Sequence, residues 1–147
     1  MNQEFTPTIY EGVNKDALIS ERLTASPNIL SVYAFCGTSG LFEYATHGDM
    51  ERLMDLHAIT EPTDKLFVAT HVARGIADLH SVGDSDLRGK VPSIAHADIK
   101  PSQFVFVGYE LKLNDFNLSE LLRKNATTNA PCAFYQKHKS RVGFHSC

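Results

Sequence analysis

The segment from His96 to Gln103, together with Asp115 further on, constrains this chain more than any other feature. It reads His-Ala-Asp-Ile-Lys-Pro-Ser-Gln, and Asn-Asp-Phe-Asn follows at residues 114–117. An acid, a lysine, an amide and a second acid therefore occur in an order that phosphoryl transfer can use. The first acid can orient or deprotonate a hydroxyl group, and the lysine can neutralise charge on a phosphoryl group. The amide and the second acid offer oxygen ligands to magnesium.

Apolar spacing along the rest of the chain predicts a mixed α and β fold. Residues 14–25 read as an amphipathic helix whose start Asn14 or Asp16 could cap. Residues 64–81 form the longest helical pattern, in which Phe67, Val72 and Ile76 are predicted core residues. The other predicted elements are a hairpin of strands 29–35 and 41–44, a short helix over 49–56 capped by Asp49, and two short strands, 104–107 and 111–113, around a tight turn.

Four stretches, in this order, resemble the middle of a protein kinase. Ser26-Pro-Asn-Ile-Leu is similar to the H-P-N-I-V that follows the glutamate-bearing helix of kinases, and Leu41-Phe-Glu-Tyr-Ala is similar to their last small-lobe strand and hinge. His96 to Gln103 resembles the catalytic loop H-R-D-L-K-P-x-N, and Asp115-Phe-Asn resembles the metal-binding D-F-G.

The resemblance implies an α+β, partial protein-kinase-like fold with the end of the small lobe, the hinge and the first part of the large lobe. It covers about residues 16–123 and places a partial kinase-like domain over 14–147, after an N-terminal segment of uncertain structure at 1–13. The hinge then falls near residues 43–46, the catalytic loop at 96–103 and a truncated activation segment at 115–147.

The same resemblance implies roles for the residues of the phosphoryl-transfer site. Asp98 would accept or orient the substrate hydroxyl, and Lys100 would stabilise charge on the γ-phosphoryl group of ATP. Asp115 would hold the bridging magnesium ion with Gln103 as the second ligand, although a purely structural loop amide is an equal alternative for Gln103. His96 would pack the loop against its surroundings together with Phe116.

On the nucleotide side, the resemblance implies a gatekeeper at Phe42 and adenine contacts from the backbone of Glu43 to Ala45. Asp49 falls where an acidic residue often meets the ribose hydroxyls. Val105 falls where an apolar side chain lies beneath the adenine. ATP and magnesium are therefore the implied cofactors.

The chain also departs from the kinase pattern. Ala97 replaces the loop arginine, Gln103 replaces asparagine with a longer side chain, and Asn117 replaces a glycine, where asparagine would have to tolerate a left-handed backbone. No G-x-G-x-x-G, no V-A-I-K-like lysine strand and no A-P-E occurs in the sequence. The acid of the first helix that would form the kinase ion pair is either Asp16 or Glu21.

The implied function is ATP- and magnesium-dependent phosphoryl transfer to a protein hydroxyl. Serine and threonine are the expected acceptors, because Lys100 follows Asp98 by two residues as in that group of kinases. Two alternatives stay open: a pseudokinase that serves as an interaction module, and a truncated, inactive kinase fragment. Since several parts that position the nucleotide are missing, we expect this chain alone to have little or no activity.

Composition excludes some other function classes. A net charge of -3 gives no basic footprint for nucleic acid, and no apolar run approaches the ~20 residues of a membrane span. The N-terminus has no signal-peptide pattern, and three widely spaced cysteines favour a reducing compartment. We therefore expect a cytoplasmic protein whose partners are a nucleotide and a protein substrate or signalling partner.

Overall fold

A computed structural model describes residues 6–82 and 93–122, with residues 125, 127, 128, 130 and 132 beyond them. The chain is mixed α and β, and its strands form three antiparallel pairs, β1–β2, β4–β5 and β3–β6. In chain order the elements are α1 (Pro7–Leu23), β1 (Val32–Cys36), β2 (Ser39–Phe42), α2 (Met50–Asp55), α3 (Pro62–Ser81), β3 (Ile94–Ala95), a 3-10 turn (Pro101–Gln103), β4 (Phe104–Val107), β5 (Glu110–Leu113) and β6 (Glu120–Leu121).

The first helix begins earlier than its apolar pattern predicts. It starts at Pro7, and the side chain of Thr6 caps it by accepting the N–H of Ile9 at 3.4 Å. A proline at the first position has no N–H to leave unsatisfied, so Thr6-Pro7 is a strong start signal. The prediction that Asn14 or Asp16 caps the helix was therefore wrong, since both lie in its interior.

The predicted hairpin is present, with its strands displaced by two or three residues. Gly37 takes a left-handed φ of 60° at the turn, and the rings of Phe35 and Phe42 meet edge to face at 5.4 Å. A Cβ at Gly40 would come within 2.3 Å of the Phe42 ring, so any other residue here would require the two phenylalanine rings to shift. Ile29, expected in the first strand, instead bridges to β5 and is fully buried.

The two helices predicted in the middle of the chain are confirmed. Asp49 caps α2 by accepting the N–H of Arg52 at 2.8 Å, and α3 begins with Pro62 at its first position. On α3, Val72 packs against the core. Phe67 does not: it is exposed and lies against the ring of His71 with centroids 4.0 Å apart. Helical spacing identifies a face, but whether other elements cover it depends on the fold.

The strand pair β4–β5 lies at the centre of the core. It is confirmed in the predicted position, and α3 packs on β5 because Gly75 permits a close approach. A Cβ there would lie 3.1 Å from the Leu113 Cβ and 3.3 Å from the Asn28 carbonyl oxygen. The buried core residues are Ile19, Leu23, Ile29, Met50, Leu79, Ile94, Phe104, Leu111, Leu113 and Phe116.

The Ser-Pro-Asn turn after α1 also joins distant parts of the chain. Ser26 Oγ and Asn28 Nδ2 both donate to Asp78 of α3, the amide at 2.7 Å. The Asn28 carbonyl accepts the N–H of Leu113 at 2.9 Å. The turn therefore ties α1, α3 and β5 together and does more than end a helix.

Residues 83–92 and nearly all of the predicted activation segment beyond residue 122 fall outside the described residues. Among the helices that the structure does describe, none is both long and apolar enough to span a bilayer.

Candidate functional site

The segment 96–103 is folded by two backbone features. Ala97 has a left-handed φ of 66°, which reverses the chain just before Asp98. The 3-10 turn then begins at Pro101, and the N–H of Gln103 donates to the Lys100 carbonyl at 3.0 Å. Together they curl the loop so that its later side chains return to Asp98.

The carboxylate of Asp98 is the hydrogen-bonding centre of this loop. Lys100 Nζ lies 2.7 Å from its Oδ2, and Gln103 Nε2 donates to the same oxygen at 2.8 Å. These donors, Lys100 foremost, lower the pKa of Asp98, and the carboxylate in turn raises the pKa of Lys100. Because both donors use Oδ2, no hydrogen bond between described residues occupies Oδ1, which is left for a hydroxyl group.

Asp115 lies beside this cluster in a left-handed backbone conformation with φ 61°. The N–H of Asn114 donates to the Gln103 carbonyl at 2.8 Å, so the residue before Asp115 is tied to the loop. After Asp98, the charge of Asp115 also contributes to the raised pKa of Lys100. The structure thus brings together the four residues predicted for phosphoryl transfer and metal binding.

In the Asp-Phe-Asn segment, the residue with a left-handed backbone is not the one expected. We expected the departure from glycine at Asn117 to require a left-handed backbone, but Asn117 is not among the described residues with positive φ. Asp115 takes that conformation instead. Asp is one of the few residues other than glycine that enters it without a large penalty, because its short side chain can hydrogen-bond locally.

His96 links the loop to the Asp-Phe-Asn segment from the inside. It is 4% exposed, its Nε2 donates to the Asn114 carbonyl at 3.1 Å, and its ring lies 5.3 Å from that of Phe116. Burial lowers the pKa of His96, so the ring is neutral at pH 7. These contacts agree with the packing role expected for His96 and Phe116.

The structure distinguishes the two acids of the first helix. Asp16 is half-buried and its Oδ1 accepts the N–H of Phe116 at 2.9 Å, whereas Glu21 is exposed. Burial raises the pKa of Asp16, and the hydrogen bond from Phe116 opposes that rise. No described lysine or arginine pairs with Asp16, and the adjacent Lys15 contacts Glu120 at 3.6 Å. Asp16 is thus the acid that faces the site.

The residues predicted for the nucleotide side meet along β4 and β5. Lys112 Nζ contacts both carboxylate oxygens of Glu43, at 2.8 and 3.1 Å. Lys112 lies directly opposite Val105 in the β4–β5 register, so the two side chains share one face of the pair. Asp49 forms a backbone bridge to Val105 while its carboxylate caps α2.

The segment after Ala45 runs along β4 and completes this group. The N–H of Phe106 donates to the Gly48 carbonyl at 2.9 Å, and that of Gly108 donates to Thr46 Oγ1 at 2.8 Å. Ala45 itself is half-buried, and its carbonyl accepts the N–H of Gly48 at 3.5 Å. The structure therefore places Glu43, Ala45, Asp49 and Val105 around the strand pair β4–β5.

The strand pair sets the spacing between the two groups. Phe104 pairs with Leu113, and Gln103 and Asn114 follow at that end. The Val105–Lys112 pair is the next one along, roughly 3.4 Å further. The residues predicted to contact adenine and those predicted to bind metal thus lie at or next to adjacent steps of one strand pair.

Two surface cavities lie among the described residues, and one of them includes Ala45 of the predicted hinge. The larger, about 450 Å³, separates α1 from β1 and includes Glu21, and the smaller, about 320 Å³, lies between the 44–48 segment and α2. Neither contains Asp98 or Asp115.

Metal-binding capacity at the site rests on few protein oxygens. No group of three or more His, Cys, Asp or Glu forms a metal centre within the part of the chain that the structure describes. Asp115 contributes a carboxylate, and Gln103, whose nitrogen is used by Asp98, retains its amide oxygen. One or two protein oxygens suit Mg²⁺, which usually takes its remaining ligands from phosphates and water.

Lys112 was missed in the sequence analysis. The sequence signal is a lysine between two leucines in a short strand, Leu111-Lys112-Leu113. In the structure both leucines are fully buried. A charge in such a place requires a partner. The partner, Glu43, lies 69 residues away, so it could not be identified from the local sequence.

Comparison with known proteins relates the chain to plant receptor-like serine/threonine kinases, at low identity and over part of its length. It is 28% identical to the G-type lectin S-receptor-like serine/threonine-protein kinase LECRK1 of Oryza sativa subsp. japonica over 109 residues. That stretch makes up 71% of this chain and 12% of that protein. It is 30% identical over 103 residues to a Probable LRR receptor-like serine/threonine-protein kinase of Arabidopsis thaliana, 67% of this chain and 9% of that protein. The chain thus spans a small part of either relative. No model of a protein family matches it.

Proposed function

We propose that this chain is the central part of a protein-kinase-like fold and binds ATP with Mg²⁺ for phosphoryl transfer to a serine or threonine hydroxyl of a protein. One observation carries the proposal: Asp98 holds Lys100 and Gln103 on a single carboxylate oxygen, with Asp115 beside them. The partial similarity to serine/threonine kinases supports the choice of acceptor.

The protonation states suit this chemistry. The lowered pKa of Asp98 keeps the carboxylate ionised at neutral pH, so Oδ1 can accept the hydrogen bond of a hydroxyl and orient it for attack. The raised pKa of Lys100 keeps the ammonium charged, and its exposed position leaves it able to turn towards a phosphoryl oxygen. Positioning and charge stabilisation are what phosphoryl transfer requires from a protein.

The same chain residues would hold the nucleotide. Asp115 and the Gln103 amide oxygen would bind Mg²⁺, which neutralises charge on the phosphates when bound. The backbone from Glu43 to Ala45 would hydrogen-bond the adenine edge, and Val105 would provide an apolar surface beneath it. Asp49 would reach the ribose with the carboxylate oxygen that does not cap α2.

A second candidate is nucleotide binding without transfer, as in a pseudokinase. It is favoured by Asp16, which bonds to the Phe116 N–H and has no basic partner among the described residues. In an active kinase the corresponding acid would hold a lysine against the phosphates. The two candidates share a nucleotide site and differ in whether Asp98 has a catalytic role.

Calorimetric titration with ATP and Mg²⁺ tests the shared site. We expect binding that weakens at least tenfold in Asp115→Ala because the main metal ligand is removed, and that is unchanged in the matched control Asp55→Asn on exposed α2. No binding by the unaltered chain would refute both candidates. Phosphate transfer to a serine peptide, lost in Asp98→Asn while ATP binding persists, would establish the first candidate over the second.

A further inference from the structure

Lys112 is a buried cation in the middle of the strand pair. Its side chain is 9% exposed, between the fully buried Leu111 and Leu113. Burying an ammonium group is costly unless it is paired and hydrogen-bonded. The bidentate contact with Glu43 provides that pairing, and the more distant Glu110, at 3.9 Å and largely exposed, adds little.

Glu43 is held at its backbone as well as at its side chain. Its N–H donates to the Ser31 carbonyl at 2.9 Å, and its carboxylate accepts the N–H of Ser31 at 3.3 Å. Burial by itself would raise the pKa of Glu43, but the hydrogen bonds from Lys112 and Ser31 outweigh it and lower that pKa. The carboxylate is therefore ionised and bonded to both Ser31 and Lys112.

These contacts connect the β1–β2 hairpin with β5, two elements that are far apart in the sequence. Ser31 leads into β1, Glu43 follows β2, and Lys112 belongs to β5 opposite Val105. Removal of the ion pair would remove the side-chain link between the end of the β1–β2 hairpin and β5, while the backbone contacts of residues 30 and 46–48 with the strand pair remain. The segment 43–45 would then be held to the strand pair only through these flanking residues.

We propose that Lys112 is a positioning residue for adenine recognition. Acting through Glu43, it fixes the distance between the 43–45 backbone and the Val105 side chain. The hydrogen-bonding groups of that backbone and the apolar surface of Val105 can then contact the same purine. The proposal rests on the nucleotide site of the proposed function. Lys112 itself does not touch the ligand, since its ammonium group is engaged by Glu43.

Two readouts on the full chain separate this role from general stabilisation. In Lys112→Met, hydrogen exchange of the Glu43 amide, which is bonded to the Ser31 carbonyl, should accelerate about tenfold or more, while amides in α3 keep their protection. Adenosine affinity should fall roughly tenfold, because a displaced backbone cannot meet both purine surfaces. The gain in ATP affinity on adding Mg²⁺ should stay as in the unaltered chain.

The matched control is Lys15→Met, which breaks a partly exposed ion pair with Glu120 and should change neither readout. The charge exchange Lys112→Glu with Glu43→Lys should recover protection of the amide at position 43. If Lys112→Met does not fold, Glu43→Gln, which keeps an acceptor for Lys112, should show the same changes to a smaller extent.

Unchanged exchange of the amide at position 43 in Lys112→Met, or in Glu43→Gln if the former does not fold, would overturn the positioning role whether or not the chain binds adenosine. Faster exchange there in Lys112→Met, when the unaltered chain binds neither adenosine nor ATP, would refute the proposed function and the adenine role. It would leave Lys112 as a structural anchor only. Faster exchange with unaltered adenosine affinity would also overturn the proposal.

Discussion

At the scale of single residues, Asp115 shows how the site is held. A left-handed backbone costs an L-amino acid on the order of 1–2 kcal/mol, and such residues persist only where their surroundings determine them. Here Asn114 is bonded to Gln103 on one side and Phe116 to Asp16 on the other. The hydrogen bonds of the neighbouring residues thus fix the position of the Asp115 carboxylate. Substitutions that remove those bonds should change that position.

Asp16 offers a test of that support. Asp16→Ala leaves the Phe116 N–H without its acceptor, which should lower the free energy of unfolding by about 1–3 kcal/mol. Asp16→Asn keeps an oxygen acceptor and removes a charge that burial already disfavours, so its stability should stay close to that of the unaltered chain. Urea unfolding at pH 7 measures both. Equal losses in the two variants would show that the charge matters and the hydrogen bond does not.

Glu43 makes stability depend on pH in a defined direction. Its pKa is lower in the folded chain than its ordinary value of 4.5, so the folded state binds fewer protons than the unfolded state in that range. Its contribution is complete above about pH 4.5 and is lost as the pH falls through the folded pKa. Glu43→Gln should therefore decline less steeply in unfolding free energy below pH 4.5. The exposed neighbour variant Glu110→Gln should follow the unaltered chain, and a Glu43→Gln profile parallel to it would contradict the assignment.

At the scale of elements, local sequence signals predicted which helices and strands exist. They were less accurate for the residues at which those elements begin and end. The hairpin, α2, α3 and the β4–β5 pair are where turn residues, caps and apolar spacing place them. The start of α1 was missed because Thr6-Pro7 precedes the apolar pattern. Phe67 was misplaced because nothing local shows which helical face other elements cover.

Gly75 and Gly12 test how α3 and α1 are packed. Both lie inside helices, where alanine is better by roughly 1 kcal/mol. Gly75→Ala should nevertheless destabilise the chain by about 1 kcal/mol, because its Cβ would crowd Leu113 and a backbone carbonyl and overpacking costs about 1–3 kcal/mol. Gly12→Ala should stabilise it, since its nearest contact would be an ordinary 3.4 Å. Thermal unfolding of both variants gives the signs, and stabilisation by both would refute the tight α3–β5 contact.

At the scale of the whole molecule, the strand pair β4–β5 is both the centre of the core and the scaffold of the candidate site. Its buried face packs against α3, and its ends and opposite face carry the residues proposed for metal and adenine binding. Apolar side chains remain exposed away from this centre. They include Leu41 at 61%, Leu56 at 64% and Leu66 at 68%.

Exposed apolar area on this scale predicts self-association of the chain as given. Sedimentation velocity should show a weight-average mass that rises with concentration, because leucines on β2, on α3 and just after α2 all face solvent. Leu66→Lys combined with Leu41→Lys should reduce the rise without lowering the unfolding midpoint, since neither side chain is in the core. A monodisperse, cooperatively melting monomer at all concentrations would contradict the prediction.

The amino-acid sequence was sufficient for much that depends on near neighbours: the Asp49 cap of α2, the hairpin turn, the spacing from Asp98 to Gln103 and the acid at Asp115. Only the tertiary structure decided which side chains meet across the chain. Asp16 bonds to a residue 100 positions away, and Lys112 to one 69 positions away. Periodicity along a helix or strand sets the face on which a charge lies. The partner of that charge is supplied by a distant element that packs on the same face. The contact between the two offsets the free-energy cost of burying the charge.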